Sequence, residues 1–151
     1  LEDLTPWYRE HVSPKFVYDR NQIMAILNQE SSLMEIVKLI GSDVLPDDQK
    51  LTLEIARVIR LGFLQQNAFH QEDTSVPMEK QFLMMETILY LYEKCRALVN
   101  RGMPVSVLKE DKIFERIIAI KYEVPNKEPE RFDEYHKDID RFYDNVLERN
   151  G

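Results

Sequence analysis

The run FLMMETILYLY, from Phe82 to Tyr92, constrains the fold most. It is apolar almost all round a helix drawn through it, and such a helix belongs in the middle of a bundle rather than on its surface. The surrounding periodic segment predicts a helix over Met78–Arg101, stopped by Gly102. Only four glycines and seven prolines interrupt the 151 residues, and the prolines fall mostly between periodic segments, which is how an all-helical chain is punctuated. Other helices are expected at Thr5–Val12, Lys15–Gln29 and Ser31–Ile40, the last with Leu33, Ile36, Val37 and Ile40 on one face and Gly41 as its stop. From Pro46 to about Asn67, Leu51, Ile55, Val58, Ile59, Gly62 and Phe63 follow helical spacing, with Asp47 and Asp48 at the positive end of the helix dipole. A helix is expected at Val105–Tyr122, a break at Glu123–Glu130, and a last helix whose seam is Phe132, Tyr135, Ile139, Phe142 and Val146. The β-branched run Ile117–Ile120 is the one place where a strand enters consideration. The expected fold is all-α: a bundle of about six helices, one domain over 1–151 with a lead-in at 1–16.

Hydrophobic residues make up 44% and charged residues 31% of the chain, a folding composition, and the net charge of −7 argues against nucleic acid as a partner. No stretch of about 18 apolar residues is present, so no membrane insertion is expected. No signal-peptide pattern opens the sequence, and a single cysteine, Cys95, within an apolar pattern reads as packing in a reducing, cytoplasmic compartment. The chain begins with Leu1 rather than Met, so a processed product or a domain cut from a larger enzyme is expected.

Catalytic patterns are missing. There is no GxxxxGK[ST], no GxGxxG, no HExxH and no paired-cysteine metal site. His11, His70 and His136 lie far apart in polar contexts. His70 near Glu72 and Asp73 reads as a solvated loop histidine rather than a metal ligand, and Glu115, Glu123 and the C-terminal acids read as solvated helix faces. Two segments ask for more. GSDVLPDDQK, Gly41 to Lys50, is an acidic helix–turn–helix tip at 42–49 that places the apolar pair Val44–Leu45 at a loop end, ringed by Asp43, Asp47 and Asp48. Helix-start chemistry accounts for Asp47 and Asp48 but not for an exposed apolar pair, which suits contact with a basic partner. GFLQQNAFH, Gly62 to His70, ends a helix with more amides than a helix end requires, followed by Phe69.

These words, together with LMEIVKLIGSDVLPDDQKLTLEIAR, PMEKQFLMMETILYLYEK and WYREHVSP, resemble the C-terminal helical domain of the catalytic alpha chain of A-type and V-type rotary ATP synthases, with the resemblance weakening after Gly102. The resemblance implies a piece of a machine. The nucleotide-binding part that grips ATP or ADP with magnesium lies in the longer polypeptide and outside this sequence, so the isolated domain is expected to hold no cofactor and to be inactive alone. It implies that Phe69 packs on the adenine, with Gln65, Asn67 and Ala68 forming the pocket edge. It implies that Asp43, Val44, Leu45, Pro46, Asp47 and Asp48 touch the central rotor stalk, although Pro46 departs from the F-type pattern. Partners would be alternating non-catalytic B subunits and the rotor stalk, in a cytoplasmic headpiece peripheral to the membrane. The alternative is a stand-alone helical adaptor that binds another protein through the acidic tip. A metal-dependent helical-bundle enzyme lacks the repeated carboxylate and histidine ligands it would need.

Overall fold

The computed structural model describes residues 14–64, 78–120 and 131–150. Within them the chain forms six α-helices and no strand: α1 (Lys15–Ile40), α2 (Asp47–Ile59), α3 (Met78–Asn100), α4 (Val105–Leu108), α5 (Ile113–Ile118) and α6 (Phe132–Asn150). A 3-10 turn, Ser42–Val44, joins α1 to α2, and a π-helical segment, Arg60–Leu64, extends α2. The all-α bundle is as expected. The expected helix at Thr5–Val12, most of the lead-in, the break at Glu123–Glu130, His11 and His70 lie outside the described residues.

Helix boundaries differ from expectation in two places. Lys15–Gln29 and Ser31–Ile40 are one continuous helix. The polar stretch Gln29–Ser32 contains no glycine or proline, so the backbone has no reason to stop there, whereas Gly41, at φ 86°, takes a conformation that side chains resist and donates its N–H to the Val37 carbonyl at 2.9 Å. Conversely, Val105–Tyr122 does not form one helix. Lys109–Lys112 offers four polar residues and no apolar anchor, and the chain turns there. Asp111 Oδ1 then accepts the Ile113 N–H at 2.9 Å and starts α5. Ile117 and Ile118 are helical, so the strand reading does not hold.

The expected centre of the bundle is where the apolar run lies. α3 packs against α1, α2 and α6, and Met84, Met85, Ile88, Leu91, Cys95 and Leu98 are all buried. It ends in a Schellman motif: the Gly102 N–H bonds Val99 O at 2.9 Å, the Met103 N–H bonds Leu98 O at 3.1 Å, and Gly102 takes φ 98°. The seam of α6 is buried at every expected position, from Phe132 through Val146, against α3 and α5. Burial pushes the Cys95 thiol up, which leaves it an inert packing group.

Candidate functional site

The tip is built from the C-terminal end of α1, the 3-10 turn and the start of α2. After Gly41 the turn closes with the Leu45 N–H on Ser42 O at 3.1 Å. Leu45 then runs extended (φ −75°, ψ 143°), and Pro46, also extended, precedes the first turn of α2, where Asp47 and Asp48 sit as their charge predicts. Pro46 O accepts the N–H groups of both Gln49 and Lys50 at 3.0 Å.

The expected exposed pair is one residue. Val44 is 59% exposed, but Leu45, whose backbone is extended, is 6% exposed and buried beneath the tip. Asp47 is also engaged: its Oδ1 accepts the Val105 N–H at 3.0 Å, which serves the free donor at the start of α4 and ties the tip to that helix. Asp43, Pro46 and Asp48 are exposed. The tip therefore brings all six predicted residues together, with Asp43, Val44, Pro46 and Asp48 facing outward and Leu45 and Asp47 anchoring it. Gln65, Asn67, Ala68 and Phe69 lie outside the described residues.

The sequence reading did not find the rest of the apolar surface. Ile36, Leu39 and Ile40 are 39%, 84% and 62% exposed. Ile36 lies three and four residues before Leu39 and Ile40 on the last turns of α1, and Val44, likewise exposed, follows in the turn beyond Gly41. Only Leu33 of the face assigned to this segment is buried. The missing signal was cover: periodicity alone does not say where neighbouring elements stop covering a face.

Behind the tip, α2 is stitched to its neighbours by charge. Glu54, 7% exposed, takes a two-pronged contact from Arg57 (Nε–Oε1 3.0 Å, Nη2–Oε2 2.9 Å), and Arg57 Nη2 also reaches Glu115 Oε1 on α5 at 2.6 Å. Glu54's hydrogen bond, ahead of any other favourable contact, raises the Arg57 guanidinium's already high pKa. Arg60 reaches Glu30 on α1 at 2.7 Å. Glu115 is 66% exposed, a solvated face as expected, and from there it also makes an inter-helix contact. A cleft of about 530 Å³ lies beside this network, lined in part by Glu30, Met34, Asp43, Lys50 and Arg60.

A second polar cluster lies between α1, α3 and α6. Asp19 is 1% exposed. Lys15 Nζ reaches Glu86 Oε1 at 3.0 Å. His136 is half-buried, with Nε2 3.2 Å from Thr87 Oγ1 and its ring 4.7 Å from that of Tyr90, and burial lowers its pKa. The legible signal for Asp19 was its register: Phe16, Asp19, Ile23 and Ile26 are spaced as one buried helix face, with an acid in it.

Among the described residues no group of three or more His, Cys, Asp or Glu is placed to hold a metal ion, and no helix is long and apolar enough to cross a membrane. The tip offers no nucleophile paired with a base. What it presents is an exposed, partly apolar surface on a support braced by hydrogen bonds and ion pairs.

Residues 5–107 match the family described as the C-terminal domain of V and A type ATP synthase. The chain is 43% identical to the V-type ATP synthase alpha chain 2 of Clostridium tetani over 97% of its own length and 25% of that protein's. It is 42% identical to the V-type ATP synthase alpha chain of Halothermothrix orenii over 98% of its length, and 40% identical to the matching chain of the A-type ATP synthase of Methanopyrus kandleri, also over 98%. The pairwise similarity thus runs past Gly102 almost to the chain's end, and the chain spans about a quarter of the length of each of these relatives. By the family match and by these relatives, the chain belongs to the C-terminal domains of the alpha chains of V- and A-type ATP synthases.

Proposed function

We propose that this domain couples nucleotide state to rotation: it supplies the adenine end of a nucleotide site and presses its tip against a central rotor stalk. The observation that carries the reading is the outward apolar face of Ile36, Leu39, Ile40 and Val44 on a support braced by Asp47–Val105, Arg57–Glu115 and Arg60–Glu30. Force passes best through apolar packing on stiff helices, because exposed ion pairs contribute only about 0–1 kcal/mol each. Asp43 and Asp48 tune the attraction to a basic shaft; Leu45 and Asp47 hold the tip's shape.

ATP or ADP with magnesium belongs to the longer polypeptide in this reading. This sequence has no phosphate loop, and its described residues have no magnesium-type cluster, so the chain alone does not fit the phosphate end of that ligand. Its contribution would be Phe69 on the base, with Gln65, Asn67 and Ala68 at the edge. Activity would reside in the assembled enzyme, with B subunits in alternating positions around a headpiece peripheral to the membrane. A stand-alone adaptor would use the same apolar face, but relatives that carry the matching region within chains about four times as long favour the rotary reading.

The test uses the assembled ATP synthase. Leu39→Asp combined with Val44→Asp is expected to leave nucleotide affinity intact while ATP-driven ion pumping falls relative to hydrolysis. Unchanged pumping per ATP would refute the tip's role. Phe69→Ala is expected to weaken nucleotide binding by about 5- to 150-fold, the equivalent of the roughly 1–3 kcal/mol that ring–base stacking contributes. Wild-type affinity in that variant would refute the adenine wall.

A further inference from the structure

Asp19 is an acid placed where an apolar side chain would be expected. It is 1% exposed, and its Oδ2 is sealed from solvent with no hydrogen-bond partner among the described residues. An unpaired buried carboxylate oxygen is rare and costly. Asp19 and Glu86 of α3 line the same cleft, and Glu86 is held there by Lys15 Nζ at 3.0 Å. Two carboxylates do not hydrogen-bond to each other unless one carries a proton, and two negative charges side by side in a low dielectric do not both persist. A proton on Asp19 resolves both problems: it turns one acid into a donor and leaves one charge, which Lys15 neutralises.

We propose that Asp19 and Glu86 form a single-proton site, in which protonated Asp19 donates to the Glu86 carboxylate and holds α1 on α3. Each packed element brings its own groups to the site. Lys15 and Tyr18 face it from α1, Tyr90, Tyr92, Glu93 and Arg96 from α3, and His136 from α6, around a cleft of about 330 Å³. Tyr90 donates its hydroxyl proton to Asp140 on α6 rather than to the pair, and Asp133 and Asp140 lie close enough to His136 to act on its charge. The electrostatics agree with the geometry. Burial first, and Glu86 second, push the Asp19 carboxyl up to about 8. For Glu86, burial works against ionisation, but hydrogen bonds from Asp19 and Lys15 outweigh it and the net shift is downward.

The linkage has a definite sign. An acid whose folded pKa lies above its unfolded value, 3.8, contributes stability that is present below that value and drains away as pH rises to about 8. The lowered His136 has the opposite effect, but only below its ordinary 6.5, and the lowered Glu86 only below 4.5. Lys15, Tyr90 and Cys95 are shifted upward from 10.5, 10.0 and 9.0 and act only above those values. Among the described residues, the contribution of His136 fades above pH 6.5, and Asp19 dominates from there to about 8.

The experiment follows the Asp19 side-chain carboxyl by carbon-13 NMR in the 151-residue chain, with the signal assigned through its own β-carbon and backbone, and measures urea unfolding at pH 6.5 and 8 in the wild type and in Asp19→Asn. The expected midpoint is near 8. It should move down in Glu86→Gln, which removes the neighbouring charge. The folding equilibrium constant should fall about tenfold over the window in the wild type, since a one-proton difference is worth a factor of about ten per pH unit, and should stay flat in Asp19→Asn, which keeps a donor but does not titrate. An Asp19 signal already ionised at pH 6 would overturn the proposal. So would a midpoint untouched by Glu86→Gln, and neither result depends on the Asn variant folding.

Discussion

Replacing Phe114 by alanine is expected to lower the unfolding free energy by about 3–5 kcal/mol, the range found when a buried aromatic is truncated and its cavity does not collapse. Phe114 is 2% exposed and meets Phe142 of α6 edge-to-face, with ring centroids 6.3 Å apart and planes at 70°. That geometry adds roughly 0.5–1.5 kcal/mol beyond area burial. The position is sensitive because α5 is only six residues long, and a helix so short has no stability of its own. It persists through three buried anchors, Ile113, Phe114 and Ile117. Urea denaturation of the variant checks this. A loss below about 1 kcal/mol would mean that the surroundings close over the gap and that the packing account of α5 is wrong.

Arg57→Met is expected to cost about 3 kcal/mol, the lower end of what removing one partner of a buried ion pair costs, because the Arg57 side chain is 32% exposed and water screens part of the interaction. The loss comes less from the missing attraction than from Glu54, whose side chain is 7% exposed and would be left charged without its two-pronged partner. The double variant Glu54→Met/Arg57→Met separates these causes. If the stranded charge is the cause, the double variant recovers most of the lost stability, since apolar groups of similar volume replace buried pairs at little cost. If the contact to Glu115 carries the effect instead, the double variant stays as weak as the single one.

Much of the architecture was legible before any coordinates. The apolar run around Phe82–Tyr92 placed the central helix, the three-and-four spacing from Phe132 to Val146 placed the α6 seam, and Gly102 placed the end of α3 to within a residue. Helix boundaries without glycine or proline were less secure. Gln29–Ser32 looks polar enough to be a loop, yet polar side chains do not break a helix that has no backbone reason to stop. At Lys109–Lys112 the reverse happens: periodicity on both sides suggested one helix, but the four intervening residues are polar and three of them are exposed.

The candidate site divides along the same line. Composition and order of residues determined the all-helical class, the absence of a phosphate loop and the words DVLPDDQK and LQQNAF by which the family resemblance is carried, because those properties belong to the chain itself. Which side of the tip faces outward was a matter of three dimensions. Val44 and Leu45 are adjacent and equally apolar, yet only Leu45, whose backbone is extended, is buried. Asp47 and Asp48 are identical in type, and only the arrival of α4 gives Asp47 a backbone N–H to accept. Asp19 keeps its acid in a buried register because α3 brings Glu86 and α6 brings His136 to the same place. Burial and pairing are properties of neighbours distant in sequence, and no local pattern contains them.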